Sequence, residues 1–145
     1  MIMHTTMSQE DLFSLPINPK ISPDDIEDKV IPFLNKHKHL IYDLYFTTRM
    51  PPFMQDAMGD VFRGVNDSKQ AVKNAFYIAQ KTELPLSATF NNIWVKPDQK
   101  NLEEFITNFK FLYDNGVRIA TIPHTSWVMT GQIQKEYPEL KIKNT

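Results

Sequence analysis

Apolar positions fall into two rhythms along this chain. Recurrences at three and four residues mark amphipathic helices, and short apolar runs of strand length lie between them. Ser22-Pro23-Asp24-Asp25 is a helix start: Ser as N-cap, Pro at the first helical position, and acids on the positive end of the dipole. Ile26, Val30, Phe33 and Leu34 continue that helix to about Lys38, with Pro32 expected to bend or restart it. His39 to Phe46 reads as a strand. A loop from Thr47 to about Asn66 carries Arg49, Pro51, Pro52, Gly59 and Gly64. Asp67 or Ser68 then caps a second helix with Val72, Ala75, Phe76 and Ala79 on one face. Pro85 to Phe90 is the next strand, stopped by Asn91-Asn92, and Ile93-Trp94-Val95 is a brief extended piece or a loop. The third helix starts at Asp98 or the residue before it. It shows Leu102, Phe105, Ile106, Phe109, Leu112 and Tyr113 on one face and ends at Gly116. Val117 to Ile122 is a strand ended by Pro123-His124-Thr125, a short helix covers Thr130 to Tyr137, and Leu140 to Lys143 is a last strand.

This order, a helix followed by β-α-β-α-β-α-β, predicts right-handed crossovers and an α/β fold with a parallel sheet of about four strands. Strands starting near residues 40, 85, 117 and 140 suit either half of a TIM-type (β/α) barrel or an open parallel sheet. Residues 1–20 read as a flexible lead-in and residues 21–145 as one α/β domain. The last strand leaves no closing helix over its face, so the expectation is the N-terminal half of a larger barrel, a fragment of a longer enzyme. A complete four-stranded domain, or a half-barrel paired with a copy of itself as a homodimer, are the alternatives.

Composition narrows the chemistry. The 145 residues hold no Cys, which excludes disulfides, thiolate zinc sites, cysteine-held iron–sulfur clusters and a catalytic cysteine. A net charge of -1 gives no basic surplus for a nucleic-acid partner. No run of about 18 apolar residues marks a membrane span, and the first residues lack a basic stretch followed by an apolar one. A cytoplasmic location is the expectation. The four glycines, at 59, 64, 116 and 131, form no P-loop or dinucleotide fingerprint.

Parallel α/β folds bind ligands beyond the C-terminal ends of their strands. The candidates therefore follow each strand: Arg49 and Asp56 after the first, Asn91 and Asn92 after the second, His124 and Thr125 after the third. His124, on a turn constrained by Pro123, has the residue type for acid/base work or metal ligation; a surface-loop His is the alternative. Arg49 suits bidentate binding of a carboxylate or phosphate, or covers the apolar segment after it. Asn91 and Asn92 orient a substrate amide or hydroxyl, or serve as turn residues. Asp43, inside the first strand, must be paired or point into a barrel interior. Trp94 and Trp127 either wall a pocket or pack over the barrel rim.

The stretch Leu86-Ser87-Ala88-Thr89-Phe90-Asn91-Asn92-Ile93, the helix after it, and Asn115-Gly116-Val117-Arg118-Ile119-Ala120-Thr121-Ile122-Pro123 resemble the U32 peptidase (collagenase-like) family. The resemblance covers roughly residues 84 to 123. It implies a barrel-type α/β domain with its site at the strand C-termini; from the positions of the candidates at that site, the enzymatic expectation is a hydrolase-like activity on a peptide-like or small polar substrate. On that reading Arg49 clamps an anionic group, Asn91, Asn92 and Thr125 bind substrate, and His124 is the catalytic residue. Relatives that hold an iron–sulfur cluster do so through Cys, which this chain lacks, and His124-Thr125 stands where the family often has Arg-Glu. No metal or cofactor is assigned. The competing expectation is a non-catalytic module that binds a partner or itself.

Overall fold

The first helical segment begins as its cap residues dictate. The Ser22 hydroxyl accepts a hydrogen bond from the Asp25 backbone at 3.2 Å. The chain then runs through helix α1 (Pro23–Asp25), a π turn (Ile26–Val30), helix α2 (Ile31–His37) and a 3-10 turn (Lys38–Leu40). Pro32 lacks an N–H and would clash with the preceding turn in a regular helix. The wider π turn, with the Ile31 N–H donating to the Ile26 carbonyl, absorbs that conflict without ending the helix. A computed structural model describes residues 12–18, 21–54 and 65–144.

The remaining elements are strands β1 (Phe13–Pro16), β2 (Ile41–Thr47), β3 (Leu86–Thr89), β4 (Val117–Ile122) and β5 (Lys141–Asn144). With them come helices α3 (Val65–Thr82), α4 (Gln99–Asp114), α5 (Thr125–Met129) and α6 (Gln132–Glu136). The strands form one all-parallel sheet in the order β1-β2-β3-β4-β5. This is the expected α/β architecture, with two corrections. The sheet has five strands rather than about four, because Phe13–Pro16, expected in a lead-in, pairs with β2. The expected helix over Thr130 to Tyr137 is present as α6, but a further short helix not expected from the sequence, α5, precedes it, the two divided at Gly131, whose φ of 74° is left-handed.

Strand alternation sorts the side chains onto two faces. Leu44 and Phe46 of β2, Leu86 and Ala88 of β3, and Ala120 and Ile122 of β4 belong to the core cluster under the helices. Phe46 meets Phe76 of α3 edge-on at 6.4 Å, Phe76 meets Phe111 of α4 at 5.8 Å, and Phe109 of α4 meets Tyr137 after α6 at 5.3 Å. The helices thus form one layer on one face. Phe90, Phe105, Phe109 and Trp127, all fully buried, are the bulk of that core.

The opposite face carries Ser14, Asp43, Tyr45, Thr47, Ser87, Thr89, Ile119, Thr121, Lys141 and Lys143. Lys143 of β5 reaches Asp43 of β2 at 2.6 Å and comes within 3.5 Å of the Ser14 hydroxyl on β1. Across a flat sheet β5 and β2 would be about 14 Å apart, three strand spacings, more than these two side chains span together. The sheet is therefore curled, with its polar face on the inside.

Candidate functional site

Register places one inner-face row at the C-terminal ends of the strands. Thr47 pairs with Thr89, Thr89 with Thr121, and Thr121 with Lys143. All four are half-buried; the three hydroxyls line the rim of the concave face, and the Lys143 side chain leaves the row toward Asp43, four residues before Thr47 on β2. Behind the row, Asp43 is fully buried and accepts from the Lys143 ammonium through Oδ2. Asp43 Oδ1 and the Ser87 hydroxyl, also buried, have no hydrogen-bond partner among the described residues. Asp43 is thus both paired and turned to the inner face, the two conditions a carboxylate inside a strand has to meet. The Lys143 ammonium also lies 5.0 Å from the Tyr42 ring.

His124 stands elsewhere. It precedes α5 with an extended backbone, and its ring is almost entirely buried between Phe53, stacked at 6.1 Å, and Trp127, edge-on at 4.7 Å. Burial pushes its pKa below the ordinary histidine value, and a hydrogen bond to the Val95 backbone opposes that shift. A backbone contact that favours the protonated ring runs to a carbonyl, so one ring nitrogen is a fixed donor. Nε2 is buried without a partner among the described residues, as is Trp127 Nε1. What seats Phe53 beside it is the tight turn after β2, closed by a bond from the Met50 N–H to the Phe53 carbonyl at 3.1 Å around the cis Pro51-Pro52 peptide.

The other candidates spread out. Arg49 is half-buried and lines a cavity of about 300 Å³ with Thr48, Met50, Val72, Asn108 and Leu112, on the helix-covered side. Asn91 and Asn92 are half-buried, and the Asn92 side-chain oxygen accepts from the Trp94 N–H at 2.9 Å, which is turn chemistry. Thr125 is exposed at the start of α5. Trp127 is buried in the core against Phe53, Phe105 and His124, whereas Trp94 is 85% exposed. Asp56 lies outside the described residues. The structure therefore joins His124 to the aromatic layer and Arg49 to a separate cavity. It brings together instead Asp43, Lys143 and the threonines.

A cavity of about 790 Å³ lies at the opposite end of the strands between Tyr42, Glu83, Gly116, Arg118 and Glu139. Its guanidinium is already engaged, donating to the Tyr113 carbonyl at 2.6 Å, stacked 3.9 Å over the Tyr113 ring and 3.5 Å from Glu139. Among the described residues no three His, Asp or Glu side chains are grouped to hold a metal ion. No described helix is long and apolar enough to cross a membrane. Compared with protein-family models and with curated proteins, the chain matches none of either.

Proposed function

We propose that this chain is a barrel-type α/β domain of the U32-peptidase-like kind that takes a small polar or peptide-like substrate on its inner face, at the C-terminal ends of the strands. The observation that carries this reading is the row Thr47, Thr89, Thr121 and Lys143, half-buried on a concave face that no described helix covers. Hydroxyls donate and accept, and an ammonium supplies donors only, so the row fits carbonyl and hydroxyl groups of a ligand. Strand-borne groups hold such a ligand more rigidly than loop-borne ones. In this reading Lys143 orients and polarises a substrate carbonyl. His124 is a positioning residue, tying the β4 exit to the loop that follows β3 through Val95.

The test is a titration of isotope-labelled protein with N-acetyl-trialanine N-methylamide, followed by amide chemical shifts. Shifts should centre on Thr47, Thr89, Thr121 and Lys143 and vanish in the Thr89→Val/Thr121→Val double variant at unchanged melting temperature. Shifts centred on the Arg49 cavity, or none at the row, would sink the proposal. Mass spectrometry of the same mixture reads out hydrolysis. A second reading, a self-associating module, draws on the two sheet edges β1 and β5, each paired on one side only among the described residues. It requires a discrete dimer in light scattering.

A further inference from the structure

The charge balance behind the rim bears on what the rim accepts. Lys143 supplies the row's only charge, and its ammonium is 2.6 Å from the Asp43 carboxylate. Asp43 has no solvent exposure, so water and salt do not screen its charge from that side. An anion approaching the ammonium therefore meets a carboxylate directly behind it, and the two Coulomb effects oppose each other. Such an anion would still lose its hydration, and the Lys143–Asp43 pair carries no net charge to offset the loss. A carbonyl oxygen has no such conflict. Of the three ammonium donors, one is directed to Asp43 and one lies toward Ser14. The ammonium also lies 5.0 Å from the Tyr42 ring, and the partly exposed side chain gives a ligand acceptor access to it.

We infer that the rim selects an uncharged hydrogen-bond acceptor, an amide carbonyl, over a phosphate or carboxylate, and that Asp43 sets this selectivity by pinning and neutralising Lys143. Asp43 is a positioning residue, because it is too deeply buried to touch a ligand. The inference rests on the rim being the ligand site, as proposed above.

The experiment titrates the wild-type protein separately with inorganic phosphate and with N-acetyl-trialanine N-methylamide, reading the backbone amides of the threonine row. The peptide should bind at least about tenfold more tightly than phosphate, a difference of about 1.4 kcal/mol. In Asp43→Asn, which keeps the shape and removes the negative charge, the ratio of phosphate to peptide affinity should rise by about tenfold or more. A change in ligand selectivity is a readout that a merely structural Asp43 would not move. Wild-type phosphate binding as tight as peptide binding overturns the inference while leaving the rim as the site. So does an unchanged ratio in Asp43→Asn. Failure of both probes to move the row overturns the functional proposal itself. The wild-type comparison needs no variant, so the inference stays testable even where Asp43→Asn does not fold.

Discussion

Replacing Lys143 by Met removes one charge while keeping most of the aliphatic stem, and it tests whether the sheet is curled in solution. In the wild type the Lys143 ammonium stands 2.6 Å from Asp43 Oδ2, and Asp43 has no exposed surface. Its other oxygen already lacks a partner among the described residues, so the variant leaves a buried carboxylate with no charge to face. Breaking a buried ion pair from one side costs about 3–5 kcal/mol. The Lys143 side chain is 34% exposed, so water screens part of the interaction and the lower end, about 3 kcal/mol, applies. Against a total stability of about 5–15 kcal/mol this is a large fraction, read easily as a drop in the urea midpoint at pH 7. Asp43→Asn and the double variant complete a cycle. The double variant should recover part of the loss, with a coupling of about 2 kcal/mol. Single losses below about 0.5 kcal/mol without coupling would show that the pair does not close, and the inner face would then be flatter than described.

Three further outcomes follow from other parts of the fold. Burial holds the His124 pKa below the ordinary value of 6.5, so the unfolded chain binds the proton first. Stability should fall as pH drops through 6.5 and level off below the folded pKa, and a His124→Gln variant should lack that slope in urea titrations between pH 8 and 5; a constant gap between the two proteins refutes the account. Burial first, then the Glu136 and Asp114 charges, push the Tyr137 hydroxyl from 10.0 to about 12. The folded state then keeps a proton that the unfolded chain loses, so stability should be lost as pH rises from about 10 to about 12, and Tyr137→Phe should remove that loss. At neutral pH the same variant loses the bond to the Ile106 carbonyl, a cost of about 1 kcal/mol by thermal melt. Glu83 directly follows α3 with a φ of 58°, a left-handed conformation that suits glycine. Glu83→Gly should raise stability by about 0.5–1 kcal/mol, the gain being trimmed by the freer unfolded chain, and a lowered urea midpoint would refute it.

The helices were legible because their signals are local. Ser22 and Asp98 cap the helices that their side chains announce, the latter accepting from the Asn101 N–H at 2.8 Å, and Gly116 follows α4 with a φ of 103°. β1 was not legible, because Phe13-Ser14-Leu15-Pro16 is short, partly polar and proline-ended, and only its pairing with β2 makes it a strand. The apolar face of α4 is visible in its spacing and is buried in the core, yet nothing local to His124 reveals that Phe53 closes over it from another loop. The rim has the same difficulty in stronger form. Lys143 and Asp43 are 100 residues apart, and the three threonines line up only once strand register is known. A signal did exist: Asp43, Tyr45 and Thr47, then Ser87 and Thr89, then Lys141 and Lys143 are polar at alternate positions, the period of a strand with one wet face.

That alternation also bears on which of the two expected architectures the sheet follows. In a doubly wound sheet the strand order reverses once and helices cover both faces, so the strands read as near-continuous apolar runs. Here the order runs β1 to β5 without reversal, and right-handed crossovers that all advance in one direction put every connecting helix on the same side. The other face then has no apolar layer to meet, and polar residues there carry no penalty at the solvent-open rim. Curling makes that face more than a wet surface. It brings β5 back toward β2 and β1, buries Asp43 under Lys143, and turns a row of strand ends into a concave rim. The chemistry proposed for the rim and the ion pair that holds its curvature thus share the same lysine, so loss of Lys143 should weaken binding and stability together, whereas Thr89→Val/Thr121→Val should weaken binding alone.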